Sequence, residues 1–352
     1  MTFPNDTIEV AAAYGHVDVV KWLYRSPNVK AMVRAAQNGH LNVVQWLCNA
    51  RGGDVNSDET SLAPVFASAA EYGHLNVLQW LHTHCSGNCG ARLINDAASN
   101  GHFDVVKWLH ENRTEDCSEH AMNMAAAKGH FDIVKYLHEH RSEGCTTYAM
   151  DVAAGAGYLE IVKWLNDHRS EGCSTYAMDS AAQHGHFDVV QWLHNNRTEG
   201  CTSLAMDGAA DHGHLDIVKW LHENRSEGCT TVAMDKAARY GHLKVVKWLH
   251  EHRTEGCTKR AMNDAAKYGR LNIIKWLHVN HNERCHTADA IRNGHFDIVL
   301  YLRLHCEEDF YRHMLTNDVV RVPLELQQWL LADCGELLNN CQFKEYNMEF
   351  GN

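Results

Sequence analysis

Histidine, cysteine and regularly paired Arg and Glu residues are the side chains here whose types and spacing could do chemistry. The chain has 352 residues, with 27 His and 13 Cys. Two clusters each gather four potential zinc ligands: His82, His84, Cys85 and Cys89, then His278, His281, Cys285 and His286. The first has poor zinc-finger spacing, and a zinc site needs ligands at ~2.0–2.3 Å. Cysteines at 89, 117, 145, 173, 201, 229, 257 and 285 each fall 28 residues after the last. Equivalent residues of stacked copies lie about one helix-packing distance apart, ~8–10 Å, beyond the ~7 Å Cα separation a disulfide spans. The ladder therefore reads as small, buried connector residues, and the odd total fits reduced thiols. No Gly-rich phosphate loop, H-E-x-x-H or nucleophile elbow appears. No enzyme activity, no cofactor and no bound metal are expected.

Composition narrows the function class further. The formal net charge is −12, from 32 Lys+Arg against 44 Asp+Glu. That charge argues against nucleic acid, a local basic stripe aside, and favours a basic or neutral protein partner. The start, MTFPNDTIEV, has neither a basic n-region nor an apolar h-region, and no apolar run nears the ~20 residues of a membrane span. The expectation is a soluble, monomeric protein of the cytoplasm, with the nucleus left open and no membrane contact.

A period must position these side chains. Glycines at 15, 39, 73, 101, 129, 157, 185, 213, 241, 269 and 294 mark eleven units over residues 5–305, mostly 28 residues apart. Two units read AMDVAAGAGYLEIVKWLNDHRSEGC and AMDSAAQHGHFDVVQWLHNNRTEGC. The first segment is rich in helix formers and ends on a glycine suited to the left-handed C′ position. The second has apolar residues at relative positions 1, 3, 4, 6 and 7, a buried helical stripe. Recurring Trp residues, such as Trp164, Trp192 and Trp220, read as an inter-repeat packing ladder. Ala pairs such as Ala153–Ala154 permit close helix approach. One such unit cannot bury its apolar faces alone, whereas stacked copies form a continuous core.

The run A-A-x-x-G-H-L-[DE]-[IV]-V-K-x-L resembles the ankyrin-repeat signature, and the segment 52–81 comes closest in length. The resemblance implies two antiparallel helices and a β-turn finger per unit. Most units here carry YAMD, LAMD or VAMD in place of T-P-L-H, and they are five residues shorter in the finger. An all-α, ankyrin-like helix-turn-helix solenoid with short connector turns is therefore expected. Residues 306–352 leave the period, and Pro323 with Leu324, Leu326, Trp329, Leu330 and Leu331 suits a helical cap. A docking tail that recruits a second protein, such as a ubiquitin-ligase component, is the alternative.

Comparison among the copies separates two kinds of position. The Gly-His histidines, replaced by Tyr158 and Arg270, and the set after Trp-Leu recur with the stack, so they read as structural hydrogen-bond donors. A metal- or pH-responsive role is the competing reading. The Arg–Glu ladder, Arg113/Glu115 through Arg253/Glu255, reads as a solvated connector surface. Positions that vary lie on the connector tip and first helix, which the ankyrin resemblance equates with the concave recognition surface. Tyr148, Tyr176, Leu204, Val232, Arg239, Tyr240, Arg260 and Tyr268 are the partner-binding candidates, because Tyr and Arg favour interface anchors. The expected function is a non-catalytic protein–protein interaction scaffold.

Overall fold

The computed structural model describes residues 6–50, 62–85, 92–113, 117–281 and 287–305. Among these residues there are twenty-two helices and no strand. They fall into two compact units, one through Ala177 and one from Met178.

The first unit holds α1 (Thr7–Ala13), α2 (Val17–Leu23), α3 (Val29–Gln37), α4 (Leu41–Ala50), α5 (Ala63–Glu71) and α6 (Leu75–His84). It continues with α7 (Leu93–Ser99), α8 (Phe103–Asn112), α9 (Glu119–Ala127), α10 (Phe131–His140), α11 (Thr147–Gly155) and α12 (Leu159–His168). The chain passes to the second unit within α13 (Thr175–His184). There follow α14 (Phe187–Asn196), α15 (Ser203–Asp211), α16 (Leu215–Asn224), α17 (Thr231–Tyr240) and α18 (Leu243–His252). The last are α19 (Lys259–Lys267), α20 (Leu271–Asn280), α21 (Thr287–Arg292) and α22 (Phe296–His305).

Odd-numbered helices are the first helices of each repeat. Within each unit they pack on one another, as α9 does on α7 and α11, and α17 on α15 and α19. The Ala pairs make this approach close: Ala153, Ala154, Ala209 and Ala210 are fully buried. Second helices bury the expected stripe, with Ile133, Val134, Tyr136 and Leu137 in α10. The helix turn is set by glycine. Gly129 has φ +79°, its N–H donates to the Ala126 carbonyl oxygen, and the His130 N–H reaches the Ala125 carbonyl oxygen at 2.9 Å. That pair of bonds is the Schellman arrangement, which satisfies the last carbonyls of the first helix.

The connectors are short, as the missing finger residues require. Arg141 leaves α10 in extended backbone, Gly144 turns the chain at φ +73°, and the Thr146 hydroxyl caps α11 by accepting from the Tyr148 N–H at 3.3 Å. The longer 52–61 segment and the tail 306–352 lie outside the described residues.

Candidate functional site

The recurring histidines join one repeat to the next. His102 bonds through Nε2 to the Glu71 carbonyl oxygen at 2.8 Å, His74 to that of Gln37 at 2.9 Å, and His295 to that of Lys267 at 2.9 Å. The imidazole must donate in each, since a carbonyl only accepts. Each ring lies over the glycine of the preceding repeat; a methyl on Gly213 would sit 2.6 Å from His242 Nδ1. Burial pushes His130, His214 and His242 below the usual histidine range, which favours their neutral form. The second histidine set meets the aromatic ladder edge-on. His138 lies 5.1 Å from Trp164, His194 5.0 Å from Trp220 and His250 5.0 Å from Trp276, ring to ring. The tryptophans are thus rungs between repeats.

The Cys and Arg–Glu ladders form one connector device, and the solvated reading of the Arg–Glu ladder is corrected by it. Arg169 pairs with Glu171 of its own connector, with Nε 3.2 Å from Oε2, and its side chain is 23% exposed. The same guanidinium lies over Gly144 of the preceding connector and reaches His138 Nδ1 at 3.4 Å. Arg225 over Gly200 and Arg253 over Gly228 repeat this placement in the second unit. Spacing alone does not show it, because a connector of this length exposes its charges until the next repeat stacks on it. The paired guanidinium holds Glu171, Glu227 and Glu255 below the usual carboxylate range. Burial pushes the Cys117, Cys145, Cys201 and Cys229 thiols up to about 11. Such thiols are not thiolates at neutral pH and make poor nucleophiles.

The two suspected ligand clusters are engaged in the same packing. His82 meets Trp108 edge-on at 5.3 Å and accepts from Arg113 at 3.0 Å, while His84 stacks on Trp80 at 4.5 Å. His278 lies 6.0 Å from the Tyr301 ring, and His281 Nδ1 is 3.8 Å from Cys257 Sγ. Cys89, Cys285 and His286 lie outside the described residues. Among the described residues no three His, Cys, Asp or Glu side chains converge as a metal set.

The partner-binding candidates fall at two registers, one three residues and one ten or eleven residues after the ladder cysteines. Tyr148, Tyr176, Leu204, Val232 and Arg260 each stand two residues after a helix cap (Thr146, Ser174, Thr202, Thr230 and Thr258), which fixes them at the N-terminal end of a first helix. Tyr148 is 48% exposed, Tyr176 53%, Leu204 62% and Val232 43%. Arg239, Tyr240 and Tyr268 stand at the C-terminal ends, about eight residues or ~12 Å along the helix. In the second unit these three come together. Arg239 Nη2 donates to the Tyr268 hydroxyl at 2.7 Å, and its guanidinium lies 4.7 Å from the Tyr268 ring centroid and 5.3 Å from that of Tyr240. The variable position midway along the helix is less free, since Ser180 is buried and a methyl on Gly208 would meet Gln183 Cβ at 2.8 Å.

The family model for ankyrin repeats (3 copies) matches residues 8–92, 94–179, 150–230 and 206–289. The chain belongs to the ankyrin-repeat family. No curated protein matches it at a significant level. Ankyrin repeats are generally protein–protein interaction modules, and no helix among the described residues is long and apolar enough to cross a membrane. This ankyrin array also has a polar join that the motif reading does not include. Asp207 accepts from both the N–H and the hydroxyl of Thr230, at 2.8 and 2.6 Å, and Asp179, Asp235 and Asp151 clasp Thr202, Thr258 and Ser174 alike. Burial raises the carboxyls of Asp179, Asp207 and Asp235 above their ordinary value. A signal for it stands in the sequence: a recurring A-M-D or A-M-N side chain 23 residues before a Ser or Thr.

Proposed function

We propose that the protein is a non-catalytic ankyrin-repeat scaffold that holds a protein partner on the face of its first helices. In the first unit the contact residues are Tyr148 and Tyr176. In the second they are Leu204, Val232 and Arg260 at one helix end and Arg239, Tyr240 and Tyr268 at the other. The supporting observation is the exposure of Tyr148, Tyr176, Leu204 and Val232, all at least 43% accessible at one repeated register, each immediately before a buried Ala-Met pair. Covering apolar area contributes ~25 cal/mol per Å², and tyrosines with arginine are favoured anchors. The scaffold acts as a monomer in the cytoplasm or nucleus, without a cofactor, nucleic acid or membrane.

Affinity capture with the full chain and mass spectrometry identifies the partner. Tyr148→Ala with Tyr176→Ala, and Tyr240→Ala with Tyr268→Ala, are run beside the parent, with circular dichroism as the folding control. Loss of the partner in either folded variant supports the assignment. Unchanged capture by both sinks it.

A further inference from the structure

The C-terminal part of the first-helix face carries a charge opposite to that of the chain. At its variable positions α17, α19 and α21 present Lys236, Arg239, Lys259, Arg260, Lys267 and Arg292, against the carboxylates Asp264 and Asp289. The chain as a whole is −12. One first helix earlier in the same unit, α15 offers Leu204, Gly208, Asp211 and His212 at those positions, with no Lys or Arg. Three of the cations, Arg239, Lys267 and Arg292, occupy one register on successive first helices. Each stands two residues before the turn glycine of its repeat: Gly241, Gly269 and Gly294.

The column is braced as well as charged. Tyr268 receives a hydrogen bond from Arg239 at 2.7 Å and keeps its own hydroxyl proton for donation. Its ring also faces Lys267, whose Nζ is 5.4 Å from the centroid. A guanidinium held this way loses little rotamer freedom on binding, and its planar fork suits a carboxylate. The ion pairs lie at the flanks of the column. Asp289 is 3.5 Å from Arg292, and Asp211, from the helix before, is 3.8 Å from Lys236. Arg239, at the α17 end of the column, is held by two tyrosines and keeps its charge.

We propose that the C-terminal ends of the first helices α17, α19 and α21 dock an acidic, extended segment of another protein. Neighbouring helices pack ~8–10 Å apart, and a chain in the extended polyproline II conformation rises ~3.1 Å per residue with about three residues per turn, so every third side chain returns to the same face and meets the next cation. The segment therefore carries Asp or Glu at i, i+3 and i+6, with apolar or aromatic residues between them for Tyr240 and Tyr268. This class of partner replaces the basic or neutral one that net charge alone suggests, because binding responds to the local field. The inference rests on the first-helix face being the interaction surface.

The test is selection of a random-peptide display library on the full chain, followed by fluorescence anisotropy of the recovered peptides. Expected are peptides with acids at three-residue spacing, whose affinity falls with added salt and drops by about tenfold or more with Arg239→Glu and Lys267→Glu. Lys236→Glu with Lys267→Glu, which leaves the Arg239–Tyr268 bond in place, gives a second reading if the first variant misfolds. Lys219→Glu with Lys247→Glu, an equal charge reversal at exposed positions of the second helices α16 and α18, leaves these peptides bound. Recovery of no peptide, or of neutral or basic ones, overturns the proposal, as does equal binding by the charge-reversed chains. Tighter binding of a single-stranded oligonucleotide also overturns it. If the peptides fail while Tyr240→Ala with Tyr268→Ala still loses the captured partner, the face stands and the acidic class falls.

Discussion

Arg270 donates from Nε to the carbonyl oxygen of Arg239 at 3.2 Å, doing in one repeat what imidazole does in its neighbours. Its side chain lies over Gly241, with Cδ 3.1 Å from where a methyl would stand, and Tyr158 lies over Gly129 at 2.7 Å by the same measure. Three side-chain types thus fill one place. What the fold needs there is a group that covers the glycine turn of the preceding repeat. That accounts for tolerance of Tyr and Arg at a position that otherwise invites a metal reading.

Gly213→Ala should be costly for two separate reasons. Its φ of +81° is one that residues with a side chain rarely adopt, and the new methyl would stand 2.6 Å from His242 Nδ1. Backbone strain of this kind costs ~1–3 kcal/mol, and displacing the ring adds to it. A lower urea midpoint is expected, and an unchanged one would contradict the packing described.

Asp207→Ala and Asp207→Asn should differ widely. Alanine leaves the Thr230 N–H and hydroxyl without their buried acceptor, a loss of ~1–3 kcal/mol. Asparagine keeps an acceptor oxygen and removes a desolvated charge. Asn123 already makes the equivalent join, bonding the Thr146 N–H and hydroxyl oxygen at 3.0 Å each. Equal destabilisation by the two variants, measured by urea unfolding, would refute the clasp.

The fold is legible in the sequence because its signals are local and repeated. Gly129 at a helix end and the stripe Ile133–Val134–Tyr136–Leu137 each specify a helix boundary or face without reference to distant residues. The Arg169–Glu171 pair and the Asp207 clasp are not, because their meaning depends on the neighbouring repeat. A charge in a short connector looks solvated until stacking covers it. The candidate face is half legible: variation among copies singles out Tyr148 and Tyr240 alike, but helix length places them in separate rows. Net charge points away from an acidic partner because it averages over the local basic column.

Acid should weaken the array in two stages. His130, His214 and His242 have folded values lowered by burial, so the unfolded chain binds protons first. Their contribution is complete above the unfolded histidine value of ~6.5 and is lost as pH falls from there through the folded value. Glu171, Glu227 and Glu255 are also lowered, so their contribution is lost in the same way below ~4.3. Asp179, Asp207 and Asp235, raised by burial, act in the opposite sense, since protonation relieves the cost of a buried carboxylate. Urea midpoints should therefore drop between pH 7.5 and 5.5, a window set by the histidines, and His214→Tyr should flatten that drop while keeping the turn covered. A steeper dependence in the variant would reverse the assignment.

Alkylation separates the cysteines within one ladder. At about pH 8 a thiol raised from 9.0 to about 11, as for Cys145, Cys201 and Cys229, is roughly 100-fold poorer in thiolate than an unshifted one. Cys257 differs. It is half-buried, and among the described residues a methyl on its neighbour Gly256 would meet nothing within 4 Å. His281 stands beside its sulfur where the other repeats place an arginine. Iodoacetamide should therefore label Cys257 well before Cys201 in the folded chain, and both at similar rates in urea. Peptide-level mass spectrometry over a time course reads the order directly. Equal rates in the folded chain would mean that the Arg225 and Glu227 cover over Cys201 opens as readily as the connector at Cys257.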